Sequence, residues 1–250
     1  MNPLTALLAG ILGYLSGSVS SARLVTKTAA PHKDITQTEI DVAGSDESIT
    51  MDFVSATAVS MHMGPRLGFI TVVMDMLKIA IPTLVFKRAC PEASYFLITA
   101  AAGMVGHIWP LYHGFKGGRG LSAVYGGMFA IDWIGVFATS LGGMLLGLCV
   151  LRDVLAAYMG GLWLIIPWLW FRTHDVGHVA YAIAVNVIFG VAMIPEIRQY
   201  VKFKRAGKGV DISQTMQYTG MGRGIYKMAK RFGVLEDTSR SGDDKEASVA

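Results

Sequence analysis

The sequence predicts an all-α fold, a polytopic membrane helix bundle of about seven membrane elements including one short helix. Three observations predict it. The 250 residues are 52% hydrophobic and only 16% charged, with a mean hydropathy of +0.46, a composition that does not keep a compact globule soluble. Apolar runs of roughly 20 residues, the length that crosses a hydrocarbon layer, recur between breaks marked by charge or proline. Basic charge gathers at one end, since 11 of the 22 Lys and Arg fall from Arg198 onward. The same composition excludes other classes. The 29 glycines and 14 methionines follow no fixed period, which removes collagen-like and repeat architectures. Cys90 and Cys149 are far apart and form no CxxC pair, so a disulfide scaffold, a zinc site and a redox motif have no support. The net charge of +4 belongs to the tail, and no nucleic-acid partner is expected.

Seven apolar runs follow in order: 4–25, 67–86, 94–112, 120–131, 133–151, 154–171 and 176–195. The first has no Lys or Arg before Arg23 and so lacks the basic start of a cleaved signal peptide. It carries Ser16, Ser18, Ser20 and Ser21 toward its end. Serines on a spanning helix need partners, either on neighbouring helices or on a ligand. The fourth run is short and follows a glycine cluster, so it reads as a helix packed on protein rather than lipid. The sixth carries Trp163, Trp168 and Trp170 toward its end, as an interfacial belt would.

Orientation follows from the excess of Lys and Arg in cytoplasmic loops. With seven crossings the N-terminus is outside, and Lys27, Lys33, Arg66, Lys116, Arg119 and Arg152 fall inside with the tail. Lys87, Arg88 and Arg172 stay outside. The chain then divides into a membrane-embedded domain over 1–197 and a basic cytoplasmic tail over 198–250. Within the domain, the polar loop 26–66 carries Asp34, Glu39, Asp41, Asp46, Glu47 and Asp52 and reads as a partly ordered insertion. Within the tail, a helix over 223–232 would set Ile225, Met228 and Phe232 against Lys227, Lys230 and Arg231, suiting an anionic membrane surface; a solvated tail is the other reading.

Chemistry concentrates in Gly106-His107-Ile108-Trp109-Pro110 and Phe115-Lys116-Gly117-Gly118-Arg119-Gly120. Consecutive glycines let backbone amides converge on one point, and the helix N-terminus that follows adds partial positive charge, so phosphate is the natural guest. Lys116 and Arg119 supply full charges. A tight turn at the membrane surface also needs glycine and also collects lipid headgroups, so the loop by itself leaves both readings open. His107, in an apolar helix just upstream, is either a hydrogen-bonded packing residue or a functional group. No cluster of histidine and carboxylate has ligand spacing, and neither a metal nor another cofactor is expected.

The run GHIWPLYHGFKGGRG resembles the GHxxPxxxxFKGGKG signature of the bacterial acyl-phosphate:glycerol-3-phosphate acyltransferases, small polytopic enzymes of phospholipid synthesis. Gly13-Tyr14-Leu15, Gly17-Ser18, Leu24 and Lys27 are similar to that family's first helix, and Asp75-Met76-Leu77-Lys78 to its DxLK segment. The resemblance implies direct attack of the glycerol 3-phosphate hydroxyl on a fatty acyl phosphate, with no acyl-enzyme. An acyl phosphate is already activated, so positioning and neutralisation of its phosphate are the main needs. It further implies His107 and Lys116 as catalytic residues, with Ser18, Gly117, Gly118, Arg119, Gly120, Asp75 and Lys78 holding substrate. The partners are then acyl phosphate, glycerol 3-phosphate or a similar acceptor, and membrane lipids, in a bacterial plasma membrane.

Departures from the family pattern cluster on the acceptor side. Where the family has GSGNxGATN, this chain reads Thr50-Met51-Asp52-Phe53-Val54-Ser55-Ala56-Thr57-Ala58. The arginine expected three residues later falls on Met61, a serine on Leu155, and a late His and Asn on Met193 and Glu196. Arg119 stands where the family usually has Lys, which changes a point charge into a planar fork. The anion loop is kept and the acceptor pocket is rebuilt, with Arg66 and Arg152 the basic residues best placed to compensate. The sequence therefore carries two readings: an acyltransferase, or a noncatalytic binder of acyl phosphate or anionic lipid, serving alone or within a larger membrane assembly.

Overall fold

The computed structural model describes residues 1–36, 38–41, 48–51, 53–151, 154–205, 227–228 and 230–231. Helix α1 (Pro3–Ser18) starts on an Asn2 cap with proline in its first turn. It stops inside the first apolar run, which the sequence reads as one uninterrupted helix. The reason is the serine cluster: Val19 is extended, and the Ser20 side chain caps a new helix, α2 (Ser21–Ala29). Serine favours caps over helix interiors because its hydroxyl competes for backbone groups.

The polar segment that follows is more ordered than expected. It holds an antiparallel hairpin of β1 (Thr38–Asp41) and β2 (Ser48–Met51), pairing Thr38 with Met51 and Asp41 with Ser48. Helix α3 (Ala56–Met63) comes next, capped by the Ser55 hydroxyl. Gly64, at φ 94°, turns the chain into α4 (Pro65–Ala89). Helices α2 and α3 and the residues flanking the hairpin form a second, smaller core of Ala22, Val25, Ile35, Phe53, Val54, Ala58 and Val59.

Helix α5 (Tyr95–Ile108) ends four residues before the run it belongs to, because Pro110 disfavours helical geometry in the residue before it. A single 3-10 turn over Leu111–His113 and the glycine loop lead to α6 (Leu121–Ile131), short as expected. Asp132 caps α7 (Trp133–Leu145), whose last turn widens to π geometry over Leu146–Leu151. Helices α8 (Val154–Thr173) and α9 (Val176–Arg205) complete the bundle. The last helix runs through Pro195 and past residue 197.

Among the described residues, four helical stretches, Pro3–Ala29, Pro65–Ala89, Trp133–Leu151 and Val176–Pro195, are each long and apolar enough to cross a membrane. The run directions alternate. At one end, the Asn2 amide donates to the Tyr95 hydroxyl at 2.5 Å, and Lys87 Nζ donates to the Ala130 and Ile131 carbonyls at 2.9 and 2.7 Å. At the same end, Arg172 Nε and Trp168 Nε1 donate to Asp132 Oδ2 at 3.0 and 2.9 Å. Trp168 is thus tied inward, whereas Trp163 and Trp170 remain exposed as a belt requires. The opposite end gathers Ser18, Pro65 and Ile108 to Gly120, and α9 runs toward it from His178, whose ring meets Phe96 near the Tyr95 end.

The main core joins Ile79, Leu97, Met104, Val124, Met128, Leu162, Ile165, Leu169, Val185 and Phe189. Helices α1 and α5 touch backbone to backbone: a Cβ placed on Gly13 would strike the Thr99 carbonyl, and one on Gly17 the Gly103 carbonyl. Small residues permit this closeness where no water exists to drive apolar association. The tail helix expected over 223–232 lies outside the described residues except at 227–228 and 230–231, which are helical. Arg152 lies outside them too, as do the side chains of Leu155 and Glu196.

Candidate active site

The break between α1 and α2 leaves the Val19 carbonyl without a helical partner, and Lys78 of α4 supplies one, donating at 2.7 Å. Lys78 Nζ also lies 2.8 Å from Asp75 Oδ1, one turn back on the same helix. On the other side of Asp75 stands His107, its Nδ1 at 3.4 Å from the same oxygen. Asp75 is 2% exposed and His107 6% exposed. A carboxylate at that depth is sustained by the charged and polar groups around it. The three groups form one buried cluster at the end of the bundle where α1, α4 and α5 meet.

The glycine loop lies directly on this cluster. The Gly118 amide donates to the His107 carbonyl at 3.2 Å, and a Cβ on Gly118 would collide with His107 Nε2. A Cβ on Gly117 would strike the His107 carbonyl oxygen. Gly120, at φ 97°, then reverses the chain into α6. Glycine is therefore required at these positions by close approach and by backbone sign.

Other bonds staple the loop to the first helices. Ser18 Oγ donates to the Tyr14 carbonyl at 2.8 Å and accepts from the Leu111 amide at 3.3 Å. The Tyr14 hydroxyl donates to the Trp109 carbonyl at 2.9 Å, and Arg23 Nη1 to the Lys116 carbonyl at 3.0 Å. The Val54 amide donates to the Gly117 carbonyl at 3.1 Å. A small cleft of about 210 Å³, counting its open mouth, runs between the helix break and the loop. Its lining includes Ser18, Asp75, Lys78, His107, Gly117 and Gly118.

Six of the nine residues singled out in the sequence thus share one cleft. The remaining three stand apart. Lys116 is exposed beside the mouth, Gly120 is buried at the start of α6, and the Arg119 guanidinium stacks on the Phe53 ring at 4.2 Å. Ser18 is present but its hydroxyl is occupied by the staple, so it acts on the loop through Leu111. The mouth is electropositive: His113 is held below its ordinary pKa, first by partial burial and then by the charges of Arg23 and Lys78. Sequence reasoning missed Arg23, Phe53 and Val54 as parts of the site. Arg23 left a signal, being the single Lys or Arg within the first apolar run; Phe53 and Val54 left none, because their contacts are long-range.

A buried acid, histidine and lysine lie under a glycine-rich loop at one end of an alternating helix bundle, in a chain whose apolar helices are those of a polytopic membrane protein. The profile of the glycerol-3-phosphate acyltransferase family matches residues 7–209, and the chain belongs to that family. Among its relatives, the glycerol-3-phosphate acyltransferase of Endomicrobium trichonymphae is 33% identical over 135 residues, 54% of this chain and 62% of that protein. The Aquifex aeolicus protein of the same name is 29% identical over 143 residues, 53% of this chain and 68% of the relative. The chain spans about three-fifths to two-thirds of the length of these curated relatives. In fold, it is similar to the crystal structure of PlsY, an integral membrane glycerol 3-phosphate acyltransferase, in its glycerol 3-phosphate form. The TM-score is 0.64 at 23% identity, covering 79% of this chain and 92% of the other. The lysophosphatidic acid form of PlsY gives a TM-score of 0.63.

Proposed function

We propose that this chain is a membrane acyltransferase that moves a fatty acyl group from acyl phosphate to glycerol 3-phosphate or a related acceptor in phospholipid synthesis. The observation that carries this reading is the Asp75, Lys78 and His107 cluster closed by Gly117 and Gly118. In the reaction the acceptor hydroxyl oxygen bonds to the acyl carbon, the bond from that carbon to the phosphate oxygen breaks, and inorganic phosphate leaves. His107 Nε2 takes the hydroxyl proton, while Asp75 beside Nδ1 stabilises the imidazolium that forms. Lys78, Lys116 and Arg119 offset the charge on the donor and leaving phosphate, while Gly117 and Gly118 let the loop close onto His107.

The cleft end of the bundle and the tail over 198–250 face the cytoplasm of a bacterial plasma membrane in this reading, and the N-terminus faces outward. The Lys and Arg asymmetry supports that orientation. A second reading, a noncatalytic binder of acyl phosphate or anionic lipid, is favoured by one observation. Ala58 is buried in the second core and Met193 packs against the main one, so neither offers the acceptor a polar group.

The test is transfer by purified protein from palmitoyl phosphate to labelled glycerol 3-phosphate, run beside a panel of other hydroxylated acceptors. Transfer to any acceptor supports the enzyme. Binding of the donor with transfer to none supports the noncatalytic reading.

A further inference from the structure

Pro82 lies inside α4 and has no N–H, so the Lys78 carbonyl, four residues earlier, loses the donor that a helix would give it. Ser16 of α1 supplies the replacement, its hydroxyl donating to that carbonyl at 2.5 Å. The Ser16 carbonyl in turn accepts from the Val19 amide at 3.3 Å, where α1 breaks, and the Val19 carbonyl accepts from Lys78 Nζ at 2.7 Å. These bonds form a closed ring. It ties Lys78 to one short segment of α1 by both its backbone and its ammonium. A carbonyl left unpaired between packed helices is costly, and the ring satisfies both the one freed by the proline and the one freed by the helix break.

The ring bears on the cleft because Val19, Asp75 and Lys78 all line it. Lys78 Nζ bridges the Val19 carbonyl and Asp75 Oδ1, at 2.7 and 2.8 Å. An ammonium carries three N–H groups, and the third has no partner among the described residues. The lysine stem is a flexible chain, so the ammonium keeps one place only where its backbone and its partners are both fixed. We propose that Ser16 is a positioning residue for Lys78: by holding the carbonyl that Pro82 frees, it fixes the Lys78 ammonium in the cleft, where it binds the phosphate of the acyl donor. This rests on the acyl-transfer reading above. Ser16 itself does not line the cleft and acts through Lys78.

The experiment is steady-state kinetics of the full chain in nanodiscs with palmitoyl phosphate and the acceptor that supports transfer, comparing Ser16→Ala, Pro82→Ala and the double variant. Ser16→Ala raises KM for the donor about three- to tenfold, the range of one hydrogen bond, and leaves KM for the acceptor within about twofold. Alanine at 82 restores an N–H to the helix, so the Lys78 carbonyl no longer needs the hydroxyl. In that background Ser16→Ala changes the donor KM by less than about twofold. A hydroxyl that only joined α1 to α4 would lower the melting point without separating the two KM values. A parental donor KM in Ser16→Ala, an equal rise in both KM values, or an undiminished loss in the Pro82→Ala background overturns the proposal. Should Ser16→Ala fail to fold, Ser16→Cys leaves a weak S–H donor in the same place and raises the donor KM above the parent's; a parental value overturns the proposal. Absence of transfer by the parent itself overturns the acyl-transfer reading instead. Calorimetry with a nonhydrolysable acyl phosphonate then decides on positioning, with weaker binding to Ser16→Ala expected and equal binding overturning it.

Discussion

A single hydrogen on the Cα of Gly118 separates the loop from the His107 ring, and adding a methyl group there forces one of them to move. Gly118→Ala is expected to lower kcat/KM by about a hundredfold or more, as displacements of roughly 1 Å at reacting groups do, while the protein still melts cooperatively. Kinetics beside a melting curve check this. Lys116→Ala is expected to weaken acyl phosphate binding by about tenfold, one charge-assisted contact being worth on the order of 1.5 kcal/mol, and calorimetry reads the change. At the other end, burial alone would raise the Asp132 pKa, but the hydrogen bonds from Arg172 and Trp168 outweigh it and hold the carboxyl below its ordinary range. A lowered folded pKa contributes stability that is complete above the unfolded value near ~3.9 and is lost as pH falls through the folded one. Asp132→Ala should therefore lower the melting temperature at neutral pH, and the gap from the parent should close on acidification below about pH 4. His107, Asp75 and Lys78 were legible in the sequence because short motifs carry them. The exposure of Lys116 was not, since it follows from how the loop is laid over the bundle, where Phe115 just before it adopts φ 61°.

Among the elements, α1 and α5 show how little freedom the bundle has, because backbone meets backbone at Gly13 and Gly17. Gly17→Ala places a methyl group into the Gly103 carbonyl and is expected to cost about 2 to 4 kcal/mol, in the range of overpacked and displaced contacts. Thermal melting in detergent measures it, and retention of the parental melting point would show that the helices can separate at no cost. The seven apolar runs, the short α6 included, were readable from hydropathy alone. The helix ends were less so. Pro110 does mark the end of α5, but the break at Val19 needs Lys78, 59 residues away, and no local pattern shows that a lysine on α4 will take a carbonyl on α1. Helix α3 was likewise hidden in a polar stretch, because the apolar partners of Ala58 and Val59, Ala22 and Val25 among them, belong to a different segment.

For the molecule as a whole, alternating run directions place the start of α1 and the end of α9 at opposite ends of the bundle. Single cysteines introduced at residue 2 and at residue 205 of a cysteine-free variant should therefore react with an impermeant reagent on opposite sides of the membrane. Labelling of both from the same side in sealed cells would sink the seven-crossing arrangement. The proposed rebuilding of the acceptor side also has a consequence at this scale. With Ala58 in the second core and Met193 packed against the main one, transfer to glycerol 3-phosphate should be slow relative to some other acceptor in the panel. Loss of two charge-assisted contacts corresponds to about a hundredfold or more. Rapid lysophosphatidic acid formation would show that Arg66 or another cation has taken their place.

The loop staples set an order of assembly as the chain leaves the ribosome. Every residue lining the cleft lies between Gly17 and Gly118, and the bonds holding the loop go back to Tyr14, Ser18, Arg23 and Val54. The cleft can therefore close once α6 has entered the bilayer, before α7, α8 and α9 are synthesised. The last three helices arrive at a finished site and act as its brace.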